Sequence, residues 1–397
     1  MNRKIPLSAC FVLVLLAAIF TYQMTYISTE QAFAKKAESI LLTPSDNPKL
    51  SEAMSYVESM YVKDIDKEYL GDATLLGYIL GLRDKHSSYY TKDQYAELNN
   101  SMNGNITGIG IRVFTNAYTN AMTVYEVMAD TPADKAGIQK GDVIDSVNGK
   151  PYSELNFDGA YDELLGPEGN SVNVTVLRDG NTLSFDIIRK AFENKTVSYK
   201  LCETDQTIGY VKIHDFFANT AEQFKSAVEE LLEQGAKSFI FDVRNNGGGR
   251  LDAIEEILDY LLPQGPIIRM IDKNDRTEIK YSNKSELSVP MVVLANSESA
   301  SASELFTSAL MDYDKATFIG EKTYGKGTVQ NIYPLSDGSA IRISVAYYLP
   351  PYSPSFDEIG IQPDIEVKLS EESIKNFYLL NETEDEQLFA AINYLKR

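Results

Sequence analysis

The chain of 397 residues is poor in the side chains most often used for chemistry, with two histidines and two cysteines. Any Ser-His-Asp arrangement must therefore draw on His86, in a helical segment, or on His214, near a strand end with Asp215 beside it. The sequence excludes neither, though a lone histidine at a strand end is usually structural or solvated. No spacing of histidine, cysteine and carboxylate points to a metal site, so no metal and no cofactor is expected. Cys10 falls inside an uncharged N-terminal run, which leaves Cys202 alone beyond it. That excludes an intrachain disulfide there and gives a catalytic thiol little support. Basic residues are outnumbered too: 37 Lys and Arg against 57 Asp and Glu give a formal charge of −20, which argues against a nucleic-acid partner. The spacing Ser-x-x-Lys does not occur either, so a serine nucleophile would need a base from a distant segment.

The length implies two or three units with sizeable cores, and an apolar content of 44% supports a globular body. Arg3 and Lys4 precede an uncharged run from Ile5 to Ile27, long enough to cross a bilayer as a helix. Residues 1–30 are accordingly expected to be a signal peptide or a transmembrane signal anchor. Ala32-Phe33-Ala34 has the small-x-small form of a cleavage site, but the run exceeds the roughly 7–15 residues of a signal h-region, which favours an uncleaved anchor. The expected location is the cell membrane, single-pass, with the remaining chain outside the cytoplasm, or secretion if the segment is removed.

Beyond the anchor the pattern changes twice. Leu50, Met54, Val57 and Tyr61 recur at helical spacing, with Leu75, Ile79 and Leu82 on a second face, which predicts a helical subdomain over 36–102. From 103 to 190 short alternating runs such as Val172, Val174 and Val176 predict strands, and Asp179-Gly180 predicts a hairpin turn. From 191 to 397 strands and helices alternate: Ile208 to Phe216, the face Phe224, Val228, Leu231, Leu232, then Phe239 to Val243, the face Leu251, Ile254, Leu258, Leu261, and Met291 to Ala295. Such alternation predicts an α/β layered core inside an α+β multidomain chain.

Three segments of this last region could carry chemistry. Ser297-Glu-Ser-Ala-Ser-Ala-Ser-Glu304 lies between a strand-like and a helix-like run, and Ser301-Ala302-Ser303-Glu304 is a capping box. A strand-to-helix turn is also where a nucleophilic serine is exposed and where helix N–H groups stabilise a negative oxygen. One geometry serves both readings. Tyr324-Gly325-Lys326-Gly327 supplies a lysine between glycines, and Gln330 returns to the same face four residues on in either a strand or a helix. An unperturbed lysine is neutral in only about one molecule in 2,500 at pH 7, so a lysine base must be desolvated. Gly320-x4-Gly325-Lys326 nearly completes a phosphate-binding loop, yet Gly327 stands where a Ser or Thr should hold magnesium. Asp242-Val-Arg-Asn-Asn-Gly-Gly-Gly249 is a glycine turn whose N–H groups could hold an oxyanion.

Residues 103–190, with Thr131-Pro132-Ala133-Asp134-Lys135-Ala136-Gly137, Gly141-Asp142-Val143-Ile144 and Val147-Asn148-Gly149, resemble the PDZ family. The resemblance implies a groove that adds a peptide C-terminus as a strand, its carboxylate held at Gly108, Ile109, Gly110 and Ile111, with a lining helix near Phe157 to Leu165. The whole ordered set of motifs from about residue 45, ending in Gly360-Ile361-Gln362-Pro363-Asp364, resembles the carboxy-terminal processing proteases, serine peptidases with a Ser–Lys dyad. By that resemblance Ser301 is the nucleophile, Lys326 the base and Gln330 its orienting partner. The oxyanion donors would be the N–H of Ala302 and that of Gly247 or Gly248. The implied fold is a core of repeated ββα units, a crotonase-like spiral, with the PDZ unit as a movable lid. Protein or peptide substrates with free, apolar C-termini are implied, and a homo-oligomer is allowed. The sequence departs from the family at Leu82-Arg83-Asp84-Lys85-His86, where relatives have Leu-Asp-Pro-His, and at Leu165 before Gly166-Pro167, where they often have arginine. The competing class is a membrane-tethered PDZ adaptor on an inactive protease-like scaffold.

Overall fold

The computed structural model describes residues 48–115, 119–283 and 286–396, so the expected membrane segment lies outside the described residues. Within them no helix is long and apolar enough to cross a membrane. The chain divides into two compact units, Met1–Thr74 and Leu75–Arg397. In the first, α1 (Pro48–Met60) follows the helical spacing but buries none of its residues, and Tyr61 falls beyond its end. Met54 and Val57 stand exposed. Helix α2 (Lys67–Leu80) starts in that unit and ends in the second, where Ile79 is buried and Leu82 exposed.

The second unit opens with a tight loop at 81–87, then β1 (Ser88–Tyr90) and α3 (Lys92–Met102), which Thr91 and Gln94 begin with a complete capping box. Next come β2 (Asn105–Gly108), β3 (Ile111–Thr115), β4 (Met122–Val127), α4 (Pro132–Ala136), β5 (Val143–Val147), β6 (Lys150–Pro151), α5 (Tyr152–Leu164), β7 (Ser171–Arg178), β8 (Asn181–Ile188) and β9 (Lys190–Glu193). Strands β3 to β8 form one antiparallel sheet, and β2 pairs with β9. Val172, Val174 and Val176 all point into this small core, as their alternation requires. Asp179 and Gly180 both take positive φ, 49° and 77°, in the two-residue hairpin between β7 and β8. Helix α5 begins five residues before Phe157 and is broken at Asn156, whose φ is 57°.

The remainder holds β10 (Val197–Leu201), β11 (Ile208–Ile213), α6 (Thr220–Glu233), β12 (Ser238–Asp242), α7 (Leu251–Leu261), β13 (Gly265–Asp272), β14 (Thr277–Ser282), β15 (Met291–Ala295), α8 (Ala302–Asp312), β16 (Ala316–Gly320), β17 (Thr328–Pro334), β18 (Ala340–Leu349), β19 (Ile365–Glu366), α9 (Glu371–Lys375) and α10 (Glu386–Leu395). One sheet runs β10-β11-β12-β15-β16-β19, parallel from β11 onward. Phe239 and Phe241 of β12 pack with α6, α7 and α8, while Ile240 packs on the other face with Leu388 and Ile392 of α10. Burial on both faces explains why these strands read as unbroken apolar runs. The other sheet runs β1-β18-β13-β14, with β17 on β18. Because β12, β15 and β16 are parallel neighbours, the three candidate segments all leave the carboxyl ends of adjacent strands. Binding sites of open α/β sheets form in that place.

Candidate active site

Strand β15 feeds a turn in which Ser301 holds φ 56° and ψ −114°, just ahead of α8. A residue with a Cβ occupies such backbone at a cost of about 1–3 kcal/mol, so the surroundings must enforce it. Neighbouring serines supply part of that enforcement. The Ser299 hydroxyl donates to the Val243 carbonyl (2.8 Å) and the Ser303 hydroxyl to the Asn246 carbonyl (2.8 Å), stitching the turn to the glycine loop. Ser297 is exposed, and Ser301 is 6% exposed. The four alternate serines thus divide into two buried stitches, one solvated residue and one strained residue.

Glu304 supplies the rest. Its side chain is fully buried, and its Oε2 accepts the N–H of Ser301 (2.9 Å) and the N–H of Lys326 (2.8 Å). Its Oε1 accepts the N–H of Gly325 (2.7 Å) and the Thr323 hydroxyl (2.6 Å). The capping-box carboxylate therefore closes the helix start and at the same time clamps the lysine loop against it. Burial raises the Glu304 pKa against these four bonds.

Lys326 is partly buried, and burial first, then the Arg342 charge, lowers its pKa, while Asp84 and Glu304 act in the opposite sense. This is the direction a neutral amine requires. No hydrogen bond joins Lys326 to Ser301 or to Gln330 among the described residues. The Gln330 amide nitrogen instead donates to Thr328 and to Ser344 Oγ.

The glycine loop lies directly beneath Ser301. A Cβ on Gly248 would sit 2.8 Å from the Ser301 Cβ and 2.9 Å from the Ala302 nitrogen, and Gly248 takes φ 104°, so only glycine fits. The Gly248 N–H already donates to Asn246 Oδ1 (2.8 Å). No such bond engages the Gly247 N–H among the described residues, and Ala302, as the first residue of α8, has no intrahelical acceptor.

A buried ion cluster fixes the start of this loop. Arg244, 2% exposed, bonds Asp242, Asp385 and Gln387, and Lys212 bonds Asp242 (3.1 Å) and the Arg244 carbonyl (2.5 Å). Burial pushes the Asp242 carboxyl up, but Arg244 and Lys212 outweigh it and hold the group well below the usual range. From the segment before α10, Phe377 lies 4.8 Å from the Arg244 guanidinium, and Tyr378 stacks on Tyr125 of β4 at 4.2 Å.

Gly108, Ile109, Gly110 and Ile111 line a cavity of about 270 Å³ with Arg112 and Tyr161. Gly110 is pressed on Thr131, whose Cβ a new methyl would meet at 2.3 Å. Arg112 bonds the Lys195 carbonyl (2.6 Å) and pairs with Glu126 (3.3 Å). His214 bonds Ser198 Oγ (2.9 Å), and burial holds it neutral well below its ordinary value. His86 lies near Lys326, and burial, then Lys326 and Lys85, lowers its pKa. Neither histidine bonds a serine of the 297–303 cluster among the described residues. Sequence reasoning assigned Glu304 only as a cap and left Asp84 and Arg244 without roles. The Ser-x-x-Glu spacing was the available signal for the first, whereas Arg244 bonds Asp385 and Gln387, remote in the chain, and Asp84 bears on Lys326 through its charge.

Residues 207–367 match Peptidase family S41, and residues 123–178 match the PDZ domain. The chain is 32% identical over 308 residues to a carboxyl-terminal-processing protease of Synechocystis sp., covering 76% of this chain and 71% of that one. It is 33% identical over 321 residues to a carboxy-terminal-processing protease of Bartonella bacilliformis, covering 79% and 73%. Its structure resembles a photosystem II D1 C-terminal processing protease, with a TM-score of 0.52, 25% identity, and coverage of 86% of this chain and 94% of that one. A putative S41 protease from Bacteroides fragilis shares the fold at a TM-score of 0.59 and 18% identity, over 85% and 92% of the two chains. With glycine loop, serine turn and lysine loop on adjacent strands and relatives of this length and identity, the chain belongs to the carboxyl-terminal-processing proteases of peptidase family S41 and is a serine-type peptidase with a PDZ domain.

Proposed function

We propose that the protein is an endopeptidase that cleaves other proteins near their C-termini with Ser301 as nucleophile and Lys326 as base, after the PDZ unit has taken up a free, apolar C-terminal tail. The observation that carries this reading is the shared acceptor: one buried oxygen of Glu304 holds both the Ser301 and the Lys326 backbone, so the two segments form one rigid unit. In the first step the Ser301 Oγ bonds to the peptide carbonyl carbon, and its proton passes to neutral Lys326 Nζ. The N–H groups of Ala302 and Gly247 stabilise the oxyanion. Collapse breaks the C–N bond, and the Lys326 proton goes to the leaving amine. Water then gives a proton to Lys326, attacks the ester carbonyl and releases the acid, returning the proton to Ser301. Gln330 orients the lysine amine. No cofactor takes part.

The domain reading that accompanies this is an anchor at 1–30, a helical subdomain at 36–102, the PDZ unit at 103–190 and a ββα-spiral, crotonase-like core at 191–397. The uncharged N-terminal run supports a single-pass, extracytoplasmic enzyme, and a homo-oligomer is compatible with it. The inactive adaptor is not favoured, because Ser301, Lys326 and Gln330 are all present.

The test compares full-length wild type with Ser301→Ala, Lys326→Ala and Lys326→Arg on a disordered protein with a free or an amidated C-terminus. Cleavage should vanish in all three variants, since arginine keeps its proton at any working pH, and amidation should slow the wild type. Activity persisting in Ser301→Ala would sink the dyad, and indifference to amidation would sink the PDZ part.

A further inference from the structure

Between α9 and α10 the chain makes a short 3₁₀ turn, Phe377–Leu379, whose first two rings face different parts of the molecule. Tyr378 stacks on Tyr125 of β4 at 4.2 Å and lies 5.2 Å from the Phe114 ring of β3. That hairpin borders the tail groove, because Tyr125 lines the cavity of about 270 Å³ together with Gly108, Gly110 and Arg112. Phe377, edge-to-face with Tyr378 at 5.0 Å, covers the Arg244 guanidinium at 4.8 Å. Arg244 begins the glycine loop, and two residues on the Asn246 carbonyl accepts the Ala300 N–H (3.1 Å) and the Ser303 hydroxyl (2.8 Å) of the serine turn. Two consecutive residues therefore touch the tail-binding hairpin on one side and the root of the loop beneath Ser301 on the other. The segment that carries them is pinned to the core. Asp385 and Gln387, at the start of α10, accept from Arg244 Nη1 (2.9 and 3.0 Å). Glu382, 3% exposed, accepts the N–H groups of Glu203 (2.9 Å) and Thr204 (3.1 Å) between β10 and β11 and pairs with Lys200 (3.0 Å).

We propose that Phe377 and Tyr378 are positioning residues for tail-dependent cleavage: a tail docked beside β3 shifts the β3–β4 hairpin, Tyr378 follows its stacked partner, and Phe377 passes the shift to Arg244 and so to the glycine loop under Ser301. Neither ring touches the substrate. Contiguous packed side chains and rigid elements carry such coupling, and a segment pinned at Glu382 and Asp385 transmits a displacement where a loose loop would absorb it. A tail that bound equally well with the loop in either place would change nothing, so the docked tail must favour the hairpin position in which the loop is competent. The proposal rests on the PDZ and Ser–Lys reading above and adds the residues through which the two sites communicate.

The test uses the full chain and two peptides: an internally quenched reporter with an amidated C-terminus, and in trans a short peptide with a free C-terminal valine. Reporter kcat is read without and with the valine peptide at saturation, and the Kd of that peptide is measured for each variant in a Ser301→Ala background. The wild type should be stimulated about fivefold or more, the lower end of ordinary coupling between sites. Tyr378→Ala and Phe377→Leu should hold the Kd within about threefold yet bring the stimulation to within about twofold of unity, and Tyr378→Phe, which keeps the ring, should retain it. Phe377→Leu leaves Tyr378 on the hairpin, so it decides the matter where Tyr378→Ala fails to fold. Full stimulation in Phe377→Leu or in a folded Tyr378→Ala overturns the proposal, and so does a stimulation lost because the valine peptide no longer binds. A wild type that cleaves the reporter but ignores the valine peptide overturns the PDZ part of the reading itself, and this proposal with it.

Discussion

Replacing Glu304 by glutamine probes how the serine turn and the lysine loop are held together. Four donors converge on this fully buried carboxylate: the Thr323 hydroxyl and the N–H groups of Gly325, Ser301 and Lys326. Glutamine keeps the shape but carries one acceptor and one NH2 donor. With its NH2 in the Oε2 place it strands the N–H groups of both Ser301 and Lys326. The other orientation strands the Gly325 N–H and turns the Thr323 hydroxyl, which already accepts the Ile361 N–H, from donor to acceptor, and it keeps the Ser301 and Lys326 bonds, so it is the cheaper one. One stranded buried donor costs about 1–3 kcal/mol, and the two surviving bonds each lose about 1 kcal/mol on passing from a charged to a neutral acceptor. Burial already opposes the Glu304 charge, and relief of that penalty offsets part of the loss, leaving about 2–4 kcal/mol. The corresponding fall in Tm for a unit of this size is roughly 3–6 °C. A displacement of about 1 Å in either segment costs about a hundredfold in rate. Differential scanning fluorimetry and peptide cleavage measure the two effects, and labelling by a fluorophosphonate reports Ser301 directly. A Tm within about 1 °C of wild type together with an unchanged rate would refute the clamp.

Three other perturbations follow from the same geometry. Gly248→Ala forces a methyl to within 2.8 Å of the Ser301 Cβ at a φ of 104°, so the cleavage rate should fall about a hundredfold or more, and an active, well-folded variant would remove the oxyanion role of this loop. His214 has a folded pKa below 6.5, chiefly from burial, so the unfolded chain binds its proton first and stability is lost as pH falls below 6.5, by up to about 1.4 kcal/mol per pH unit. Urea melts at pH 7.5 and 5.5 should therefore show a smaller acid loss in His214→Gln than in wild type; comparing the two proteins cancels the neighbouring Glu126 and Asp215 carboxyls, whose pKa values burial raises. An equal loss in both proteins would contradict the assignment. Tyr378→Ala removes the ring stacked on Tyr125 and should cost about 1–3 kcal/mol while speeding amide exchange in β3 and β4, and unchanged exchange there would mean that the segment does not hold the PDZ unit.

Much of the fold could be read in the chain because its signals are local. The apolar runs at 239–243 and 291–295 are buried strands, the stripe of Phe224, Val228 and Leu231 is the inner face of a helix, and Asp179-Gly180 is a hairpin, each set by period or by the φ a turn demands. Boundaries moved where tertiary contacts intervened. Phe216 lies past the end of β11 and joins only a single bridge to Gly249, and Asn156 breaks the groove helix that periodicity left continuous. The stripe Met54 and Val57 has the spacing of a packed face yet is exposed, which shows that periodicity reports capacity for burial and not burial itself.

The same division applies to the site. Sequence alone determined which residue types were available: two histidines, both far from the serine cluster in the chain, one serine at a capping turn, one lysine between glycines, one glycine run after a strand. Spacing could bring none of them together, because they are separated by tens of residues. Parallel strand order did that, by delivering three loops to one sheet edge. Only the tertiary structure disclosed that Glu304 reaches from its own helix cap to the lysine loop, that Asn246 occupies the Gly248 N–H and leaves Gly247, and that Arg244 joins the glycine loop to Asp385 and Gln387. Hydrogen bonds between distant segments depend on distance and direction in space, and a linear order of residues records neither.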